Sequence, residues 1–354
     1  MKSKKFLKFA KQLLVLSMVF IMIASFIGCS SGDAKGEDTS SGDASSGDAV
    51  SGNYRVGILS GLSYLAAAAD GFKDELEKLG YVEGENIEYQ ILSTESDMEE
   101  YKNFSEKFVE DEVDLVFCYP TEAAIVLQEV TEGTDIPVVF GVTNIEGTDL
   151  VESVREPGGN LTGVRYPGPD LAIKRLEIMT EIVPDAKRIL LPYSSEYPVC
   201  YPQLEELPAA AEEFGVTLIE APAKTPQDLE DIFNEYDSQD ELDFDAIVSI
   251  AEMFAVNPDT FLTMITFANR HEIPMGGALM EFEGYSSLFG VNINEYVTGQ
   301  RAAGLADRIL QGEDVSTMPV ISDESFIQIN YKEIQEQGLD VPENVLNEAE
   351  EIIR

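Results

Sequence analysis

Several short stretches of the chain carry residue types suited to holding a small polar molecule. The first is Ser60-Gly61-Leu62-Ser63-Tyr64, followed by Tyr119-Pro120-Thr121-Glu122 and by Thr143-Asn144. Serine and threonine hydroxyls, with the free N–H groups of a helix start, can hold a carboxylate or another anion. The Tyr64 and Tyr119 rings can cover an apolar group. Farther along, Tyr193-Ser194-Ser195 and Glu252 offer hydroxyls and an acid able to pair with an amine. The candidate ligand contacts are therefore Ser60, Gly61, Tyr64, Tyr119, Pro120, Thr121, Thr143 and Asn144 on one side, and Ser194, Ser195 and Glu252 on the other. Each stretch taken alone also reads as an ordinary helix cap, and Glu252 as one more solvated acid.

Catalytic signatures are sparse. The one histidine, His271, follows a helix pattern at the end where a cation complements the helix dipole, a structural place. The chain has no Gly-x-Ser-x-Gly elbow, no Walker A loop and no Cys/His metal spacing, and Gly57, Gly61 and Gly71 do not form a dinucleotide fingerprint. Acids are so numerous that pairs such as Glu281 and Glu283 arise by chance. No catalytic residue, cofactor or metal is expected.

What gives the polar stretches weight is where the elements put them. Apolar runs at Tyr54–Leu59, Ile87–Leu92, Asp114–Cys118 and Pro137–Val142 read as buried strands. Helices are predicted at Tyr64–Leu79, with Gly80 as the stop, at Met98–Glu110 and from Thr121. After Leu161–Tyr166 the scheme starts again. Helices are predicted at Leu171–Val183, Leu207–Phe214, Pro226–Tyr236 and Pro258–Arg270, and strands at Arg188–Pro192, Val216–Glu220, Ala246–Ile250 and Ile273–Gly276. Strands alternating with helices imply parallel sheets with right-handed crossovers, and two such series imply an α/β protein of two Rossmann-like lobes. The polar stretches fall at the carboxyl ends of the strands, where such sheets take ligands.

The first fifty residues are of another kind. Residues 1–28 hold five lysines and no acids, then an apolar stretch from Leu13 to Ile27, the pattern of a secretory signal. Phe26-Ile27-Gly28-Cys29 resembles the bacterial lipobox, which implies lipidation at Cys29 and a location at the extracytoplasmic face of the cell membrane. The stretch from Ser30 to Asn53 repeats SGDA at Ser31, Ser41 and Ser46 and reads as an acidic tether with a reach of roughly 25–30 Å. With those five lysines set aside, 18 basic residues face 66 acidic ones, a balance that argues against a nucleic-acid partner. Cys118 and Cys200 could pair in an oxidising compartment, but Cys118 ends an apolar run and reads better as a small core residue.

From Tyr54 onward the chain resembles the ABC transporter substrate-binding lipoproteins that include tryptophan- and phenylalanine-binding members. The resemblance is carried by DGFKDELEKLGYVEGENI (Asp70–Ile87), IPVVFGVTN (Ile136–Asn144), VREPGGNLTGV (Val154–Val164) and GQRAAGLADRILQGEDVSTMPV (Gly299–Val320). It implies a type I periplasmic-binding-protein fold, with lobes joined by a three-crossing hinge near Leu161–Tyr166, Leu288–Asn292 and after Met318. By this resemblance residues 54–163 and 291–318 form the N-terminal lobe and residues 164–290 and 319–354 the C-terminal lobe. The helix Val297–Leu310 returns to the first lobe. The implied function is capture of a small ligand, an aromatic or branched amino acid being the leading candidate, by a monomer that serves an ABC permease. A ligand-binding module for a membrane sensor, and an extracellular enzyme, are the alternatives. Amino-acid-binding relatives often carry His-Pro, Gly-Thr and Thr-Asp-Asn turns where this chain has Leu62-Ser63, Tyr119-Pro120-Thr121 and Ala251-Glu252-Met253. The transport role therefore transfers more readily than the ligand.

Overall fold

The computed structural model describes residues 52–278 and 281–354. The expectations placed on the leader, on Cys29 and on nearly all of the tether lie outside these residues. Between them, β1 (Tyr54–Ser60), β2 (Ile87–Ser93), β3 (Leu115–Tyr119), β4 (Val138–Thr143) and β5 (Leu161–Arg165) alternate with α1 (Ala67–Lys78), α2 (Met98–Glu110) and α3 (Thr121–Thr131). Strand register explains why these runs are apolar throughout. Val56, Ile58, Leu115 and Phe117 face α1, while Leu59, Val116 and Cys118 face α2 and α3, so both surfaces of the sheet are covered. Phe72 of α1 stacks on Phe117 with ring centroids 4.3 Å apart.

The second series runs α4 (Gly168–Ile182), β6 (Arg188–Ser194), α5 (Cys200–Phe214), β7 (Thr217–Ala223), α6 (Pro226–Asp237), β8 (Ala246–Val248), α7 (Met253–Val256), α8 (Pro258–Arg270) and β9 (Met275–Gly276). A small hairpin, β10 (Glu281–Phe282) and β11 (Tyr285–Ser286), precedes β12 (Phe289–Asn292). The chain continues with α9 (Glu295–Leu310), β13 (Ile321–Ser322), β14 (Phe326–Asn330), α10 (Tyr331–Glu336), α11 (Glu343–Glu348) and β15 (Glu351–Ile353). Strands β7-β6-β8-β9 form a parallel sheet, and a bridge from Gly277 to Gly290 joins it to β12-β14-β15.

Local chemistry accounts for the clearest boundaries. Asp97 accepts hydrogen bonds from the Glu99 and Glu100 N–H groups and starts α2. Asn257 does the same for Asp259 and Thr260, with Pro258 at the first helical position of α8. Thr225 and Asp228 make a capping box on α6. Helix α5 begins seven residues before the predicted Leu207. Pro202 stands in its first turn, where N–H groups have no intrahelical partner, and Pro208 is accommodated within it.

The two lobes are joined three times. Between Arg165 and Gly168 the chain passes from β5 into α4, and after Asn292 it passes from β12 into α9. Helix α9 packs on α1 of the first lobe; a Cβ at Gly299 would collide with the Ala68 carbonyl, and one at Gly71 with that of Tyr296. These two helices thus approach backbone to backbone through glycine. The third link leaves β13, paired with β5 in the first sheet through Ile321 and Val164, and enters β14 of the second. Cys118 and Cys200 are free thiols buried in different cores, so no bridge joins them; burial pushes both thiols up, Cys200 to about 12.

Candidate ligand site between the lobes

The turns after β1, β3 and β4 are tied into one rim. Ser60 stands opposite both Ser93 and Tyr119 in the sheet. The Gly61 N–H donates to the Tyr119 carbonyl at 2.9 Å, and the Gly61 carbonyl accepts from the Ser96 N–H at 2.9 Å and the Tyr101 hydroxyl at 3.3 Å. A side chain at Gly61 would collide with Tyr101 and Pro120, so only glycine lets these turns meet. The Thr121 hydroxyl accepts from the Asn144 N–H at 3.0 Å, linking the third turn to the second. Thr143 is fully buried and donates to the Gly141 carbonyl at 2.8 Å. Asn144 is half-buried, with its Oδ1 beside Gly168 where α4 of the other lobe begins.

The two tyrosines named from sequence have different surroundings. Tyr119 has no exposed surface; its ring packs on Phe117 with centroids 5.5 Å apart. Its hydroxyl lies near Ser60 and the Ala69 backbone without making a hydrogen bond of ordinary geometry. Tyr64 is 57% exposed, yet its hydroxyl is pushed up to about 12 by surrounding protein and then by Glu122, Tyr166, Glu295 and Tyr101. Tyr64 sits in a short 3-10 turn, Ser63–Leu65, with α1 starting only at Ala67, later than predicted.

On the opposite rim Ser194 is buried and Ser195 half-buried; the Ser195 hydroxyl donates to the Ala223 carbonyl at the end of β7, 3.2 Å away. Glu252 is 4% exposed and caps α7: Oε1 accepts from the Ala255 N–H at 3.0 Å and Oε2 from the Ser194 N–H at 3.2 Å. Burial lifts its carboxyl to about 7 against these stabilising N–H donors. Both oxygens thus serve the local backbone of their own lobe.

Across the cleft, the Tyr197 hydroxyl of the second lobe donates to Glu122 Oε1 of the first, at 2.9 Å. Glu122 Oε2 is buried without a hydrogen-bond partner among the described residues. The Tyr197 hydroxyl is driven far above its ordinary value by burial and by the Glu122 charge, so it remains a donor. Sequence reasoning placed Glu122 in its turn without giving it a role and passed over Tyr197. The available signal was position: Tyr197 follows the end of β6 as Glu122 follows β3.

The hinge beneath holds a buried cation. Arg175 of α4 has no exposed surface; its guanidinium donates to the Val291 carbonyl (2.9 Å from Nε), the Tyr166 hydroxyl (2.9 Å) and Asn292 Oδ1 (3.3 Å). It therefore pins two crossing segments to one helix, with neutral acceptors only. His271 ends α8 with Nε2 2.7 Å from Asp237 Oδ1, a surface pairing remote from these residues in the fold. A separate surface depression of about 700 Å³, lined by residues including Gln128, Thr134, Asp149 and Gly159, reaches the amino ends of β4 and β5. Ligands of open α/β sheets sit at the other ends of the strands, so it is not the candidate site. Among the described residues no group of His, Cys, Asp or Glu is arranged to hold a metal.

Two α/β lobes with three links and a rim of polar turns define a type I periplasmic-binding-protein fold. Residues 56–353 match the family model for ABC transporter substrate binding proteins, and the chain belongs to that family. A tyrosine-binding protein of Clostridioides difficile (strain R20291) is 26% identical over 330 residues, covering 91% of this chain and 90% of the relative. An ABC domain from Streptococcus pneumonia in complex with L-Trp superposes with a TM-score of 0.73 at 27% identity, over 85% of this chain and 100% of that one. A substrate binding protein with adhesive properties from Clostridium difficile, in its ligand-free, open form, gives a TM-score of 0.68 at 23% identity, over 85% and 99% of the two chains, and supports the fold.

Proposed function

We propose that this chain is an extracytoplasmic solute receptor, lipid-anchored through Cys29, that captures an aromatic or branched amino acid between its lobes and delivers it to an ABC permease. The observation that carries the reading is the hydrogen bond, 2.9 Å long, from Tyr197 of the second lobe to Glu122 of the first, made between the turns that follow β6 and β3. With the exposed Tyr64 ring on the turn after β1, this pair offers the apolar and polar groups that an amino acid requires. Thr121, Asn144 and the Gly61 turn supply further polar groups, as do Ser60, Ser194 and Ser195. The tryptophan and tyrosine ligands of the two relatives point to the same class. Closure is a population shift in which the ligand stabilises the lobes' approach by contacting both at once. The leader and Gly28-Cys29 sequence supports the anchor, and no helix among the described residues is long and apolar enough to cross a membrane.

Isothermal titration of the purified protein with aromatic and branched amino acids tests the reading. Saturable one-to-one binding of at least one is expected, weakened about tenfold or more by Tyr64→Ala. Absence of binding to every amino acid in the set would count against it.

A further inference from the structure

Glu122 stands where a ligand would touch both lobes. It occupies the first turn of α3, three residues beyond the fully buried Tyr119, and is half-buried. One carboxylate oxygen accepts the Tyr197 hydroxyl from the other lobe at 2.9 Å; the other is shielded from water and has no hydrogen-bond partner among the described residues. No described lysine, arginine or histidine forms an ion pair with it; Arg165 pairs with Glu146 and Asp170, and Arg301 with Asp323 and Glu324. A shielded, unpaired carboxylate oxygen is costly, and a cation that reaches it recovers that cost. The exposed Tyr64 ring stands on the turn after β1, and an aromatic face is itself attractive to an ammonium group. Glu252, the acid singled out by sequence, has both oxygens on backbone N–H groups of its own lobe.

From this geometry, and resting on the solute-receptor reading above, we propose that Glu122 is the specificity-determining residue of the cleft: its free oxygen receives the protonated amine of the ligand while Tyr197 holds the other. The carboxylate then bridges ligand and second lobe, so amine recognition and lobe closure share one side chain. The substrate class follows as small aromatic or branched compounds bearing a primary ammonium group; a des-amino analogue of the same ligand leaves Glu122 unpaired.

The test is calorimetric titration of the full chain with three matched probes: L-tryptophan, tryptamine and indole-3-propionate, together with L-tyrosine and its tyramine and hydroxyphenylpropionate counterparts. The wild-type protein is expected to bind an amino acid at least about tenfold more tightly than its des-amino analogue. Glu122→Gln, whose amide oxygen can still accept from Tyr197, is expected to lose about 10- to 100-fold in affinity for the amine-bearing ligand and little for the analogue. The ligand series on the wild-type protein needs no variant to fold and tests the same contact. Equal binding of a des-amino analogue, or undiminished amino-acid binding by a folded Glu122→Gln, would overturn the role of Glu122 and leave the receptor reading standing. Silence of the wild-type protein towards every probe and every other amino acid would overturn the receptor reading and this inference with it.

Discussion

Exposure separates the residues that hold the fold from those available to a ligand. Tyr64, largely in solvent, contributes little to packing, so Tyr64→Ala should change unfolding free energy by less than about 0.5 kcal/mol while weakening ligand binding. Urea denaturation beside calorimetry separates the two; a large stability loss would place the ring in the fold. Glu252 is the reverse case. In the folded protein its carboxyl rises from 4.5 to about 7, so between those values the folded state keeps a proton that the unfolded chain has lost. This group's stabilising contribution is therefore fully present below about pH 4.5 and is lost as pH rises through 7, a change of about 3 kcal/mol. Wild-type stability should accordingly gain on that of Glu252→Gln as pH falls from about 7.5 to about 5. Parallel pH curves for the two proteins would contradict the buried-acid account. The sequence marked Ser60, Thr121 and Glu252 through their places at strand ends, but it could not tell which acids turn inward. Glu122 and Tyr197 are 75 positions apart, and no local spacing records their contact.

At the scale of elements, the helices with their own stop and start signals were the most legible. Met98–Glu110 and Pro258–Arg270 match the predicted bounds because Asp97 and Asn257 cap them locally. The short β14 and β15 of the second lobe, and the hairpin at Glu281–Ser286, were not recognised, because two to five residues leave too little periodicity to read. Arg175 escaped notice for another reason: within LAIKRLEIM it resembles a surface cation, and its acceptor Val291 lies 116 positions away. Replacing it with alanine removes a large buried side chain and strands the Val291 carbonyl and Tyr166 hydroxyl, so a loss of about 3–5 kcal/mol is expected in denaturant titration. A loss below about 1 kcal/mol would show that the guanidinium does not pin the hinge. The contact between α1 and α9 makes an independent prediction. Because a methyl at Gly299 would meet the Ala68 carbonyl, Gly299→Ala should cost about 1–3 kcal/mol through displacement of one helix. A neutral or stabilising effect would contradict the close approach.

Over the whole molecule, 66 acidic residues against 23 basic ones give a net charge of −43, and the folded state works against its own repulsion. Raising sodium chloride from about 20 to about 300 mM should therefore raise the melting temperature, because exposed charges are then screened. Two parallel sheets flanked by helices place the polar turns on facing rims, and the three links allow the lobes to move as bodies about Tyr166, Asn292 and Asp323. The repetition of strand and helix made two lobes readable from sequence. The crossings came from family resemblance, since only the pairing of β13 with β5 and of β14 with β12 defines where the last link runs. The central claim, that the cleft binds a small solute, is tested most directly by thermal unfolding of the protein against a library of amino acids, amines, nucleosides and sugars. A compound that binds the folded state alone at a hundredfold excess over its Kd adds about 2.7 kcal/mol of stability. The account predicts a clear rise in melting temperature with at least one aromatic or branched amino acid, reduced in both Tyr64→Ala and Glu122→Gln. A flat response across the library, with no ligand released from the denatured protein, would contradict it.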